Sequence, residues 1–195
     1  MDRSTQSKFY FVCGILGLTA ICVLLGLWLR ERSEKRFDRQ ILAASQRYSL
    51  DPALIKAVIW QESRFDPRAR GRAGEIGLMQ IRKDAALEWA DSEHVRAFAH
   101  ERIFDPEMNI FCGTFYLSKL MKRYKQTDNP VPYALADYNA GRSHVLRWNK
   151  GAAQTNSTVF LGQMDFPRTR EYALNIIERR TRYVGDFQPP QIALR

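Results

Sequence analysis

Residues 57–81 read AVIWQESRFDPRARGRAGEIGLMQI, and the rest of the chain can be read outward from them. An apolar, helix-compatible run ends on one carboxylate, Glu62, followed by Ser63. A charged segment punctuated by glycines then gives way to the apolar Gly77-Leu78-Met79-Gln80-Ile81. An acid at the end of an apolar helix suits a general acid. Desolvation disfavours the carboxylate and moves its pKa toward the pH at which it can donate a proton. The remaining chain is expected to hold this acid, to build a cleft beside it and to bring it to its substrate.

Length and composition set the frame. At 195 residues there is room for one ordinary domain plus an appendage, and 45% hydrophobic residues fit a globular chain. The formal charge is +9. Such a balance favours anionic partners, whether nucleic acid, a membrane surface or a polymer such as a cell wall. The positive residues are scattered and interrupted by acids, without the clustered Lys/Arg and interleaved aromatics of a nucleic-acid surface, so nucleic acid is not expected as a partner. Cys13, Cys22 and Cys112 make no disulfide framework, and Cys112 reads as a small core residue. His94, His100 and His144 have no metal-ligand spacing, so neither metal nor cofactor is expected.

Upstream of the decisive stretch, Phe9 to Leu29 is uncharged and long enough to cross a bilayer as a helix, with Tyr10 and Trp28 near its ends. The run is too long for a signal-peptide core, and Arg30-Glu31-Arg32 follows it in place of a small-x-small cleavage site. Val12 and Ile21 precede the two cysteines, where a lipoprotein signal would place a small residue. An uncleaved anchor at 9–29 is expected, preceded by a tail at 1–8 and followed by a stalk at 30–37. Arg30, Arg32, Lys35, Arg36 and Arg39 outnumber Arg3 and Lys8, which by charge alone would leave the following domain in the cytoplasm. Long domains often translocate regardless of flanking charge, so the substrate has to decide.

The soluble part reads as a series of helices. Phe37, Ile41, Leu42, Ser45 and Tyr48 recur at helical spacing. Asp51-Pro52 and Asp105-Pro106 are cap-plus-proline starts. The first opens a helix carrying Leu54, Val58 and Glu62 on one stripe and ending at Asp66-Pro67. The second opens a central helix with Ile110, Gly113, Leu117, Leu120 and Tyr124 facing inward. Residues 67–76 suit a loop or short hairpin, the one place a strand is expected. Lys83 to Trp89 and His94 to Glu101 read as short helices, Thr127 to Pro132 as a turn and Tyr133 to Asn139 as a helix. Residues 149–165 read as a loop, Arg170 to Tyr183 as a last helix and 188–195 as a tail.

Two further segments bear on chemistry. Gly74 to Ile81 combines glycines, which let the main chain approach a ligand, with a thioether and an amide. Ala136-Asp137-Tyr138-Asn139-Ala140-Gly141 sets a phenol and an amide among small residues. Taken singly, the first reads equally well as core plus turn and the second as a helix C-cap.

Their order carries more. Glu62-Ser63, then Gly74 to Ile81, then Asp105-Pro106 with Asn109-Ile110, Gly113 and Tyr116-Leu117, then Tyr138 to Gly141 resembles the transglycosylase domain of soluble lytic transglycosylases. That family is a glycoside hydrolase family 23-like branch of the lysozyme-like superfamily. Thr169-Arg170-Glu171-Tyr172 is similar to its later TRxY-like element, here with an acid between Arg170 and Tyr172. The resemblance runs over residues 38–187 and implies a predominantly α-helical, α+β lysozyme-like catalytic domain behind the transmembrane anchor.

It also implies cleavage of the β-1,4 bond between N-acetylmuramic acid and N-acetylglucosamine in peptidoglycan, leaving a 1,6-anhydromuramic end. By motif match Glu62 is the catalytic acid and base. Ser63 and Gln80 position sugar or acid, Met79, Tyr138 and Tyr172 form subsite walls, and Asn139 binds an acetamido group or orients Glu62. Only one protein carboxylate is needed, whereas most glycosidases pair two. Glu75, Asp66 and Glu88 read as loop, cap and surface charges. Asp137 stands where the family often has Ala, so an acid beside the groove is expected to alter subsite preference, and Ala90 to Phe104 is a family-variable insertion. The wall substrate places the domain outside the cytoplasm, on the periplasmic side of a bacterial inner membrane. The alternatives are a hydrolytic muramidase of the same fold and an inactive wall-binding module of an envelope assembly.

Overall fold

The computed structural model describes residues 3–188, with side chains placed for residues 16–29 and 31–188. The chain divides into two compact units, Met1–Arg36 and Phe37–Arg195. The first is one helix, α1 (Arg3–Lys35), on which Leu16, Ile21, Leu24 and Trp28 are each more than half exposed. Among the described residues no helix is long and apolar enough to cross a membrane. The span expected at Phe9 to Leu29 begins in residues whose side chains lie outside the described set.

The second unit is helical: α2 (Asp38–Tyr48), α3 (Pro52–Ser63), α4 (Lys83–Ser92), α5 (Pro106–Arg123), α6 (Pro130–Ala140), α7 (Arg142–Trp148), α8 (Ser157–Gln163) and α9 (Pro167–Tyr183). Its starts follow the capping chemistry. Asp51 Oδ1 accepts from the N–H of Ala53 at 2.9 Å and Asp105 Oδ1 from that of Met108 at 2.9 Å, each with proline opening the helix behind it. Asn129 Oδ1 caps α6 through the N–H of Val131 at 3.1 Å. The expected turn at Thr127 to Pro132 is therefore cut short, and α6 begins at Pro130.

Helix α5 lies at the centre, its stripe Ile110, Leu117 and Leu120 fully buried and Tyr124 nearly so. It packs against α2, α4 and α6, while α3 packs mainly on α9 and α2. Every residue of α3 from Ala53 to Ile59 is buried. That is the pattern of a helix enclosed on all sides rather than one lying on a surface. It places the last turn of α3, with Glu62, at the edge of the core.

Several expectations are corrected. Helix α3 ends at Ser63, not at Asp66-Pro67, because Arg64 and Phe65 take left-handed backbone angles (φ 53° and 64°). The expected hairpin at 67–76 shrinks to two isolated bridges, Arg70 with Ile76 and Ile76 with Ile81, so the β part of the fold is vestigial. His94 to Glu101 is not helical. His94 and Ala97 have positive φ, and a short 3-10 turn follows only at His100–Phe104. Residues 149–165 are not a plain loop, since Asn156 Oδ1 caps α8 through the N–H groups of Thr158 and Val159. Leu42 is 42% exposed, and Ala44 takes its place in the stripe of α2.

One buried charge ties the ends of this unit together. Lys56, on α3, is fully buried, with its ammonium 2.7 Å from Asp38 at the start of α2 and 2.7 Å from Asp186 near the C-terminus. The rings of Tyr183 and Phe187 lie 5.0 and 5.4 Å from it. Both carboxylates stay about a quarter exposed, so the cost of burial falls on the lysine. Replacing Asp38 and Asp186 together by Asn leaves a buried cation without an anionic partner and is expected to destabilise the protein by about 3–5 kcal/mol. Either single change is expected to cost markedly less, as urea unfolding of the three variants against the parent would measure.

Candidate active site

The decisive stretch folds into the last turn of α3 and the loop that follows it, and the loop is fastened from behind. Asn109, on the first turns of α5 and 1% exposed, satisfies three main-chain groups at once. Its Oδ1 accepts from the N–H of Met79 at 2.8 Å, and its Nδ2 donates to the carbonyls of Ile76 at 2.8 Å and Ile103 at 3.0 Å. Gly77 (φ +76°) lies against that amide, where a Cβ would collide with Nδ2. Gly113 gives the same clearance to Met79, whose sulfur would meet any Cβ there. The spacing of Asn109 and Gly113, one helical turn apart, thus presents an amide and a gap to the Gly77–Ile81 loop.

Beside this loop opens a groove of about 450 Å³. Glu62, Glu75, Gln80, Tyr138 and Asn139 line it, with Tyr116 and Lys119 of α5 and Asp84 and Glu88 of α4. Glu62 points into it from α3, and its Oε1 accepts the hydroxyl of Tyr172 of α9 at 2.5 Å. Burial raises its pKa to about 7, with the charge of Glu75 acting in the same direction and the Tyr172 hydrogen bond opposing it. The Tyr138 hydroxyl donates to the carbonyl of Met79 at 2.7 Å. Burial pushes both phenols well above their ordinary range, so they act as neutral donors.

The expected site residues fall into two groups. Glu62, Gln80, Tyr138 and Asn139 come together at the groove. Gln80 holds a left-handed backbone (φ 48°), and its Nε2 donates to Gly77 O at 2.9 Å. Such a conformation costs about 1–3 kcal/mol at a non-glycine residue. Asn139 Oδ1 accepts from Thr169 Oγ1 at 2.9 Å.

Ser63, Met79 and Tyr172 do not line the groove. The Ser63 hydroxyl lies 2.8 Å from the carbonyl of Leu78 and 3.0 Å from that of Ile59, which directs it to the loop main chain. Met79 is fully buried behind the loop, and Tyr172 is 6% exposed, reaching the site only through its hydroxyl on Glu62. Asp137 is 2% exposed and accepts from Arg123 Nη1 and Tyr124 Oη, each at 2.6 Å, which neutralises it and clamps α6 to α5.

Glu75, expected only as a loop charge, and Tyr116, expected only as part of a motif, also line the groove. Tyr116, already part of the Gly113-Tyr116-Leu117 motif, packs its ring 5.6 Å from that of Tyr138. Glu75 carried no periodic signal, because it sits on a loop.

A half-buried acid, held by a phenol at the end of a core helix, faces a polar groove. Residues 39–160 match the Transglycosylase SLT domain, and the chain belongs to that family. It is 39% identical over 113 residues to membrane-bound lytic murein transglycosylase F of Desulfosudis oleivorans, covering 56% of this chain and 23% of that protein. It is 29% identical over 157 residues to the soluble lytic murein transglycosylase of Escherichia coli K12, covering 77% of this chain and 24% of that one. The chain thus spans about a quarter of the length of these two relatives. Among solved structures, the lytic transglycosylase Slt of Pseudomonas aeruginosa, an inactive Glu-to-Gln mutant, superposes with a TM-score of 0.69 at 26% identity. That match covers 76% of this chain and 24% of the other.

The raised pKa of Glu62 has a consequence for stability. The folded protein keeps a proton there that the unfolded chain releases near pH 4.5, so stability falls as pH rises from 4.5 to about 7 and levels off above. Glu62→Gln removes this dependence. The variant is expected to match the parent below pH 4.5 and to exceed it by about 3 kcal/mol above pH 7. Urea unfolding at pH 4 and pH 8 checks this.

Proposed function

We propose that the chain is a peptidoglycan lytic transglycosylase, with Glu62 as its single catalytic acid and base. The observation that carries this reading is the state of Glu62: half-buried on a polar groove, hydrogen-bonded by Tyr172 and pushed up to about 7 by loss of hydration. A carboxyl poised there can give and retake a proton near neutrality. Glu62 protonates the glycosidic oxygen between N-acetylmuramic acid and N-acetylglucosamine. It then accepts the proton of the muramoyl C6 hydroxyl as that oxygen attacks C1, closing a 1,6-anhydro ring. The proton lost in the first step returns in the second, and no water is consumed.

The residues around Glu62 divide the work. Gln80, Tyr138 and Asn139, on the groove, are assigned to the sugar, with Asn139 placed for an acetamido group. Ser63 and Met79 hold the Gly77–Ile81 loop, and Tyr172 orients the acid. The names of the relatives, all lytic murein transglycosylases, support the substrate class. The catalytic domain is assigned to residues 38–187, with 30–37 as a stalk and 9–29 as a membrane anchor. Two observations support the anchor: the long helix α1 and the exposure of its described apolar side chains. A wall substrate puts the catalytic domain outside the cytoplasm. A role in opening the wall for an envelope assembly is compatible with this placement.

A hydrolytic reading has one observation in its favour, the second carboxylate, Glu75, on the same groove. Mass spectrometry of the products from purified peptidoglycan separates the two. Muropeptides ending in 1,6-anhydromuramic acid, lighter by one water, are expected, whereas reducing ends would make the protein a muramidase. Glu62→Gln is expected to lower turnover by about 10²–10⁴-fold while wall binding in a pull-down persists, because the amide keeps the shape but has no acidic proton. Fused after Arg195, alkaline phosphatase is expected to be active. Activity of a cytoplasmic reporter alone would overturn the extracytoplasmic placement.

A further inference from the structure

Among the described residues Glu75 is a groove acid that no ion pair compensates. Glu75 lies between two pinned points. Its own carbonyl accepts from the N–H of Gly71 at 2.8 Å, and the next residue, Ile76, exchanges main-chain hydrogen bonds of 3.1 and 2.9 Å with Ile81. Asn109 holds the carbonyl of Ile76 as well. The Glu75 side chain is fixed too, with Oε2 accepting from the N–H of Ala73 at 3.0 Å. It passes so close over Gly71 that a Cβ there would strike both this carboxylate and the amide oxygen of Gln80. A charged side chain on a braced turn is therefore directed beside Gln80 into the groove that Glu62 also lines.

The other charges of the groove are matched in pairs. Lys119 of α5 pairs with Glu88 of α4, Arg82 with Asp84 at 3.7 Å, and Asp137 of α6 with Arg123 at 2.6 Å. Toward Glu62 itself, α9 presents Tyr172 and α6 presents Tyr138, both neutral phenols, while Tyr116 of α5 lines the same groove. Among the described residues no ion pair reaches either Glu62 or Glu75. The pKa of Glu62 is thus set by burial, by the opposing Tyr172 hydrogen bond and, after them, by the charge of Glu75.

We propose that Glu75 is a positioning residue for Glu62: a second groove carboxylate whose charge keeps the catalytic acid protonated and, once that proton has been given up, makes Glu62 the stronger base. This inference rests on the transglycosylase reading. Both halves follow from one Coulomb effect. A fixed anion nearby disfavours the carboxylate of Glu62 before bond cleavage and strengthens its pull on the C6 hydroxyl proton afterwards. The direction agrees with the upward displacement of Glu62, to which Glu75 contributes after burial. Glu75 itself neither attacks the sugar nor takes a proton from it in this scheme, so the product remains the 1,6-anhydro sugar.

The test uses the full chain in mild detergent, with Glu75→Gln and Glu75→Asp compared against the parent. The amide can still accept from the N–H of Ala73, so the loop is retained, and a thermal melt verifies the fold. Should the amide variant fail to fold, Glu75→Ala is read in its place. The Glu62 carboxyl is titrated by ¹³C NMR in chain labelled at Glu, with Glu62→Gln identifying its resonance. In Glu75→Gln the titration midpoint is expected to fall by about half a pH unit or more, with Glu75→Asp restoring most of it. The alkaline limb of kcat/KM on peptidoglycan is expected to move the same way. Superimposable titrations of Glu62 in parent and folded Glu75→Gln would overturn the inference. Reducing-end products from the parent that disappear in Glu75→Gln would also overturn it, by making Glu75 the base for a water. Absence of any product from the parent would count against the transglycosylase reading alone, since the NMR titration needs no substrate.

Discussion

The amide of Asn109 holds the groove in shape. Buried on α5, it satisfies the N–H of Met79 and the carbonyls of Ile76 and Ile103 with one side chain. A loop that turns back on itself near the core leaves main-chain groups that the two isolated bridges cannot all pair, and each such group left unmet costs about 1–3 kcal/mol. Three elements then use the loop so fixed. Ser63 at the end of α3 reaches the carbonyl of Leu78, and Tyr138 of α6 reaches that of Met79. Gly113 of α5 receives the Met79 side chain. The acid, the loop and the far wall of the groove are in this way referred to one helix.

The electrostatic design follows from the same placement. A carboxyl at the end of an enclosed helix loses hydration, and the fold supplies a neutral phenol rather than a cation to hold it. Had Tyr172 been an arginine, the carboxylate would have been stabilised and its capacity to donate a proton lost. The cations near the groove are instead engaged with Glu88, Asp84 and Asp137. Stability is given up at Glu62 above the pH at which its raised pKa holds the proton.

Where the sequence was legible, a local rule governed the outcome. Asp51-Pro52 and Asp105-Pro106 announced the starts of helices α3 and α5 to the residue, because the cap and the proline act within one turn. The stripe of α5 was read from spacing alone. Asn156 and Pro167 offered the same kind of signal for α8 and α9 and were passed over among polar neighbours. The left-handed residues Arg64, Phe65, His94 and Ala97 had no such announcement. None is a glycine, so no residue type in the sequence marked the left-handed turns.

The sequence by itself determined the starts of α3 and α5, the inward stripe of α5 and the family, because capping, periodicity and ordered motifs are local properties of the chain. Which side chains face the groove was decided by the tertiary structure. Met79 and Ser63 stand beside groove residues in sequence yet serve the loop from behind, and Tyr172 arrives from 110 residues away to hold Glu62. Glu75 was a bland loop charge until folding set it in the same groove as Glu62. The reason is physical: burial, hydrogen-bond partners and the field at a carboxyl are sums over neighbours in space, and on a loop braced by another helix the chain order does not specify them.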